Sequence, residues 1–259
     1  MKFIPCRICA KLDGPEPGYY YNKETFFGRR TLVECDCHKK WSKSQEDLLK
    51  AKSSNIWSDA FSYNPERDYK GDKSSEDVKC LVDYVSLFPT YRDKMIFMYG
   101  PNGTQKTTLA MWVGAMLIQS GYSVHYMLME NLSVLLQPDF DESSDESSQR
   151  KTLHHRIMNT DLLIIDEAFD LSKMNLYKSG YQIPFLDRFI RERFDINKKG
   201  ILFVSNMKVH TIGSSFNASL GSLIERNTEE SRLSFLDVYI KEAGKVDPRG
   251  LFKRRSVSE

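Results

Sequence analysis

A glycine-rich loop between an apolar run and a helix-length segment constrains the fold of this chain more than any other feature. The apolar run is Met95–Tyr99, the loop reads Gly-Pro-Asn-Gly-Thr-Gln-Lys-Thr-Thr, and the helical segment covers 106–120. In a strand–loop–helix unit of this kind, backbone N–H groups of the loop and of the first helical turn bind phosphate oxygens. The sequence therefore predicts a phosphate-binding loop.

Every position of this loop is assigned to a nucleotide site. We expect Lys106 to reach the β- and γ-phosphates and the Thr107 hydroxyl to ligate Mg²⁺. The assigned residues are Gly100, Pro101, Asn102, Gly103, Thr104, Gln105, Lys106, Thr107 and Thr108.

One position departs from the usual pattern, in which a second glycine precedes the lysine. Gln105 occupies that position, whereas Gly100 and Gly103 are retained. A side chain there narrows the loop or requires an unusual backbone angle. The substitution bears on the rate of hydrolysis more than on nucleotide binding.

A second apolar run supplies the carboxylates that such a site needs. Asp161-Leu-Leu-Ile-Ile-Asp-Glu-Ala168 ends in Asp166 and Glu167. In a parallel sheet, the tip of this strand lies at the carboxyl edge where ligands bind. We expect Asp166 to hold Mg²⁺ through water and Glu167 to polarise the attacking water as general base.

Short apolar runs alternate with helix-length segments from about residue 76 onward. The runs are Met95–Tyr99, Ser123–Met129, Leu162–Ile165 and Ile201–Ser205, and the helical segments are Lys106–Ser120, Asn131–Gln137 and Pro184–Phe194. Strands buried on both faces and alternating with helices predict an α/β fold with a parallel sheet flanked by helices. The acidic, serine-rich stretch Asp139–Gln149 is predicted to be a solvated loop.

Four cysteines near the N-terminus predict a metal site. Cys6 and Cys9 form one pair, Cys35 and Cys37 form a second pair, and an aromatic, β-prone stretch separates them. Four thiolates in tetrahedral geometry make a closed, structural zinc site, and metal stabilises a module too small for a large core. His38 is an alternative to Cys35 or Cys37 as the fourth ligand. Cys80 is distant and is expected to be a core thiol.

Three regions follow from these features: a zinc-binding module at 1–40, a polar linker with a short helix at 41–75, and an ATPase domain at 76–259. The net charge of +2 excludes a strongly basic nucleic-acid coat, although it permits a local basic patch such as Lys253-Arg-Arg255. No apolar run approaches the length of a membrane span. We therefore expect no membrane association and a cytoplasmic location.

In the order and type of these motifs, the chain resembles bacterial and phage replicative-helicase loaders of the DnaC/DnaI type, which are AAA+ P-loop ATPases. The resemblance rests on Trp57–Phe61, Tyr99–Ala110, Asp161–Glu167, Phe189–Phe194 and Ile201–Asn206, and on the N-terminal cysteines. Many relatives have two aspartates where this chain has Asp166 and Glu167.

The resemblance implies roles for two further residues. Asn206, at the tip of the strand Ile201–Ser205, would position water and sense the γ-phosphate. Arg226 would reach the nucleotide of a neighbouring subunit, because a permanently charged guanidinium makes bidentate bonds to phosphate. Arg232 is the competitor for that role.

The resemblance also implies partners. The N-terminal module would grip a hexameric DnaB-type replicative helicase, and the ATPase domain would bind ATP and single-stranded DNA and assemble as a hexamer or spiral on the helicase. Two alternatives remain open: an IstB-like transposition helper, which usually lacks a cysteine module, and a non-hydrolysing ATP-binding adaptor, which has no need of Glu167.

Overall fold

The fold is described from a computed structural model of the chain. It describes residues 3–7, 9–11, 16–21, 32–71, 76–136, 145–170, 182–229 and 235–237. The chain divides into two compact units, Met1–Ser53 and Ser54–Glu259. This division falls within the segment 41–75, which the sequence predicts to be a linker.

The N-terminal unit is a small β-hairpin followed by a long helix. Strands β1 (Tyr19–Tyr21) and β2 (Leu32–Glu34) pair antiparallel, and α1 extends over Asp36–Ser53. The predicted helix, Ser42–Lys52, thus begins six residues earlier. Asp36 favours this start, because a carboxylate in the first turn interacts well with the positive end of the helix dipole.

The second unit contains a parallel sheet, which confirms the predicted fold class. Its strands are β3 (Met95–Tyr99), β4 (Val124–Leu128), β5 (Leu162–Asp166), β6 (Gly200–Ser205) and β7 (Phe235–Asp237). Their order is β4-β5-β6-β3-β7, and each neighbouring pair is parallel. Strands β5 and β6 are buried throughout, as expected of strands covered on both faces.

Helices connect these strands. The remaining helices are α2 (Pro65–Asp68), α3 (Glu76–Ser86), α4 (Phe88–Tyr91), α5 (Lys106–Gln119), α6 (Met129–Leu135), α7 (Asp145–Asn159), α8 (Gln182–Arg191), α9 (Val209–Ser215) and α10 (Ala218–Glu229). A 3₁₀ turn covers Cys9–Lys11, another covers Ser58–Phe61, and a π-helical turn, Glu192–Ile196, continues α8. None of the helices in the described ranges is long and apolar enough to cross a membrane.

Helix α7 corrects one expectation. Residues 145–149, predicted to lie in a solvated loop, form its first turn and a half, whereas 139–144 lie outside the described residues. The acidic residues at its start suit a helix N-terminus. Leu153 and Ile157, four positions apart, are half-buried and buried respectively, so the helix packs through one apolar side.

A buried arginine joins α7 to the sheet. Arg193 is fully buried and donates hydrogen bonds to the carbonyl oxygens of Ile157, Thr160 and Gly200. The first two carbonyls lie at the C-terminal end of α7, where orphan carbonyl groups and the helix dipole favour a cation. This arginine belongs to the Phe189–Phe194 segment, so part of that motif serves the packing of the fold.

Candidate functional site

The predicted phosphate loop lies at the carboxyl edge of the sheet, between β3 and α5. Lys106 is buried, and its Nζ donates to the carbonyl oxygens of Gly100 at 2.8 Å and Pro101 at 2.7 Å. It also donates to Thr104 Oγ1 at 3.1 Å. The Lys106 side chain thus folds back over the phosphate loop, and its charged Nζ lies against the carbonyl oxygens of that loop.

Gln105 has the backbone angle that the missing glycine would supply. Its φ of 60° and ψ of 20° are left-handed, and Gly103 also has a positive φ of 82°. The Gln105 side chain accepts a hydrogen bond from the backbone N–H of Lys70 at 2.7 Å. The sequence predicts that a side chain at this position either narrows the loop or requires an unusual backbone angle, and the structure shows the unusual angle. The side chain also contacts the segment that follows α2.

Asp166 connects the loop to the neighbouring strands. Its Oδ2 accepts hydrogen bonds from the Thr107 hydroxyl at 2.8 Å and the Tyr126 hydroxyl at 3.0 Å, and its Oδ1 accepts from the Glu167 backbone N–H at 2.7 Å. Strand β6 lies between β3 and β5, so the loop must pass over the end of β6 for Thr107 to reach Asp166. The two predicted Mg²⁺-binding groups are therefore adjacent.

Tyr126, on β4, is a residue that the sequence analysis did not identify. Burial and the nearby Asp166 carboxylate raise the pKa of its phenol, so the hydroxyl remains a hydrogen-bond donor at neutral pH. Only the register of β4 against β5 reveals its proximity to Asp166, and a single sequence does not contain that register.

The turn after β5 carries two left-handed residues that are not glycine, Glu167 with φ 52° and Phe169 with φ 65°. The Ala168 N–H donates to Val204 O at 2.8 Å, and its carbonyl accepts from the Ser205 hydroxyl at 2.6 Å. Strained backbone held by neighbouring strands is common at functional sites.

Asn206 directly follows β6. The carbonyl of Ser205, the residue before it, accepts a hydrogen bond from the Gly100 N–H at 3.3 Å. The predicted loop, the carboxylate strand and the Asn206 strand tip therefore meet at one edge of the sheet.

The predicted arginine lies on a different element. Arg226 is exposed in the last turn of α10. Its competitor, Arg232, and the basic stretch Lys253-Arg-Arg255 lie outside the described residues.

The four N-terminal cysteines form a compact cluster in the other unit. The Sγ–Sγ distances are 3.7 Å for Cys6–Cys9, 3.8 Å for Cys6–Cys35, 3.4 Å for Cys9–Cys37 and 3.3 Å for Cys35–Cys37. Four sulfurs bound tetrahedrally at about 2.3 Å to zinc lie about 3.8 Å apart, so the donor set fits that ion. The Cys9 N–H points to Cys6 Sγ at 3.5 Å.

His38 stands apart from this cluster, although the sequence left it open as a ligand. Its Nδ1 lies 2.6 Å from Glu34 Oε1, and its ring packs on Phe3, Tyr19 and Trp41. A Cβ at Gly18 would lie 2.6 Å from the His38 ring, so the glycine provides the space for it. Cys80, expected in the core, is only partly buried on α3.

Known structures share this fold. The DnaC helicase loader aligns with a TM-score of 0.51 and 16% identity, over 69% of this chain and 95% of that chain. DnaI aligns with a TM-score of 0.52 and 13% identity, over 72% and 93%. The replication initiator DnaA, bound to AMPPCP and single-stranded DNA, aligns with a TM-score of 0.52 and 16% identity, but over 70% of this chain and only 50% of that chain. These similarities confirm the AAA+ P-loop fold.

Sequence comparison gives the family. No curated protein matches the sequence significantly. The family model described as IstB-like ATP binding protein matches residues 60–216, which include the phosphate loop, the Asp166 strand and the Asn206 strand. Because this match covers more than half of the 259 residues, the chain belongs to the family of IstB-like ATP binding proteins.

Proposed function

We propose that the chain is an ATP-dependent loader that binds a replicative DNA helicase and places it on single-stranded DNA. The observation that carries the proposal is the candidate nucleotide site, where Lys106 is bonded to its own loop and the neighbouring Thr107 is bonded to Asp166. The chain also has a four-cysteine unit. The family supports ATP binding, and the fold is that of the DnaC and DnaI structures.

Nucleotide binding would use groups that are already in position. Lys106 would exchange its bonds to the loop carbonyls for phosphate oxygens, and the first N–H groups of α5 would bind the same phosphates. The Thr107 hydroxyl would ligate Mg²⁺, and Asp166 would accept hydrogen bonds from the water around it. When bound, Mg²⁺ neutralises charge on the phosphate oxygens.

Hydrolysis would depend on Glu167 as the general base for the attacking water. Asn206 would help to orient that water from the adjacent strand tip. Arg226, exposed on α10, would act on the nucleotide of a neighbouring copy, which requires the chain to form a homo-oligomer.

The N-terminal unit would bind zinc through Cys6, Cys9, Cys35 and Cys37, and this unit would grip the helicase. Tetrahedral thiolate coordination would be structural, since it leaves no open position for chemistry.

A second candidate is favoured by the family match itself. Helpers of transposition belong to the IstB-like group, and they would bind a transposase rather than a helicase. The cysteine unit lies outside the matched residues 60–216. It argues against the helper function, because such helpers usually lack a cysteine module.

Co-purification tests the proposal. The tagged full-length chain should retain the hexameric replicative helicase of its own cell in the presence of ATP and Mg²⁺. A Cys6→Ser/Cys9→Ser variant should lose the helicase while still binding ATP, and Cys80→Ser should behave like wild type. Capture of a transposase without helicase would instead support the helper function.

A further inference from the structure

The Tyr126 hydroxyl donates a hydrogen bond to Asp166, one of the predicted Mg²⁺-binding residues. Tyr126 lies on β4, where Ile164 of β5 is its register partner. Its hydroxyl reaches two positions farther along β5 and donates to Asp166 Oδ2 at 3.0 Å. This diagonal is within reach of a long aromatic side chain on neighbouring strands.

The hydrogen bonds at Asp166 distinguish its two carboxylate oxygens. A carboxylate has about four lone-pair sites, two on each oxygen. Oδ2 accepts from Thr107 and from Tyr126, whereas Oδ1 accepts from the Glu167 N–H. These three bonds occupy both sites of Oδ2 and leave one site on Oδ1.

The backbone of Tyr126 is also fixed, on the side of β4 away from β5. Its N–H donates to Ser54 O at 2.9 Å, and its carbonyl accepts from Asn55 Nδ2 at 3.1 Å. Ile56, the next residue of this segment, packs so closely on α5 that a Cβ at Gly114 would lie 2.7 Å from its side chain. The phenol therefore extends from a strand that is held on both edges.

We propose that Tyr126 is a positioning residue for the proposed Mg²⁺ site. By occupying Oδ2 of Asp166, it would leave Oδ1 as the oxygen that can accept a hydrogen bond from water around the ion. This inference rests on the proposed nucleotide site. Thr107 can keep its hydrogen bond to Oδ2 while a hydroxyl lone pair ligates the ion. Without the Tyr126 hydroxyl, Oδ2 would keep only the bond from Thr107. Its second lone pair would then be unsatisfied and would compete with Oδ1 for the water that surrounds the ion.

The test is Tyr126→Phe, which removes the hydroxyl and retains the ring. A fluorescent ATP analogue is titrated into the full-length protein, once with Mg²⁺ and once with EDTA. We expect the affinity in EDTA to stay within about twofold of wild type. The gain in affinity on adding Mg²⁺ should fall about tenfold, the scale of one hydrogen bond to a charged group.

Two further variants make the result specific. Tyr122→Phe removes a hydroxyl from a ring that packs on Phe88 and should titrate like wild type. In an Asp166→Asn background, Tyr126→Phe should have no additional effect on the Mg²⁺-dependent gain, because the two residues act as one unit.

Each outcome has one meaning. A Mg²⁺-dependent gain equal to that of wild type would overturn the inference alone, and so would equal losses with Mg²⁺ and EDTA, which would indicate a structural role. If wild type bound no nucleotide in either condition, the proposed site and this inference would fall together.

Discussion

Gln105 shows how the loop keeps its geometry without the second glycine. A left-handed angle costs a residue with a Cβ about 1–2 kcal/mol. The bond from the Lys70 N–H to the Gln105 side chain offsets part of that cost. It also ties the phosphate loop to the segment that follows α2.

Two replacements of Gln105 separate the cost of its left-handed backbone angle from the contribution of its hydrogen bond to Lys70. Gln105→Gly and Gln105→Ala both remove the bond to Lys70, but only alanine keeps a Cβ at φ 60°. We expect the alanine variant to be less stable than the glycine variant by about 1 kcal/mol in denaturant unfolding. Equal stabilities would show that the left-handed angle is not maintained in solution.

Glu167 is the residue on which hydrolysis is proposed to depend. Glu167→Gln preserves the shape of the side chain and removes the base, so ATP binding should remain close to that of wild type. Turnover should fall by about 10²-fold or more. Phosphate release by both proteins gives the answer, and equal, measurable rates would contradict the role. Rates near zero for both would favour the adaptor function.

At the scale of elements, β4 carries a titratable group on its buried side. Burial, with a smaller contribution from the charges of Arg156 and Arg193, lowers the pKa of His125 to about 4. Its Nδ1 is buried without a hydrogen-bond partner in the part of the chain that the structure describes. The folded protein therefore favours the neutral imidazole.

This burial predicts a dependence of stability on pH. The unfolded chain takes up a proton at His125 near pH 6.5, whereas the folded chain does so only near pH 4. Stability should thus be complete above pH 6.5 and should decline as the pH falls from 6.5 towards 4, by at most about 1.4 kcal/mol per pH unit. When the free energy of unfolding is measured in urea at several pH values, the His125→Phe variant should lack this decline between pH 6.5 and 4. An unchanged decline would show that His125 is accessible to protons when folded.

Elements with strong local signals were predictable from the sequence. The limits of β3 agree with the prediction, and α5 differs from it by one residue. Helix α7 begins inside a stretch whose polar composition indicated a loop, because its apolar contacts come only from Leu153 onward. Tyr126 and Lys70 could not be found by sequence alone, because their roles depend on strand register and on a contact between residues 35 positions apart.

At the scale of the whole molecule, the chain combines two compact units with different sources of stability. The core of the sheet-containing unit is large and apolar, whereas the described part of the N-terminal unit consists of two three-residue strands, a short 3₁₀ turn and one helix. Zinc bound to four thiolates can contribute roughly 10–16 kcal/mol to the folding of a small peptide. The N-terminal unit should therefore depend on the ion.

Metal analysis and chelation test this dependence. The purified protein should contain about one zinc per chain, as a closed four-ligand site implies. Removing zinc should unfold the N-terminal unit, with loss of amide protection in β1, β2 and the start of α1, and should leave ATP affinity unchanged. A metal-free protein with full protection in those elements would contradict the assignment.

The central claim, that this ATP site drives helicase loading, is tested most directly by helicase loading onto a closed single-stranded DNA circle. A circle has no end to thread, so a helicase ring must be opened to enclose it. Unwinding of an annealed strand should accelerate when the wild-type chain is added with ATP and Mg²⁺. Lys106→Ala should abolish that acceleration, while Lys79→Ala, a change of an exposed lysine on α3, should retain it. Equal acceleration by wild type and Lys106→Ala, or none by a wild-type chain that binds ATP, would contradict the claim.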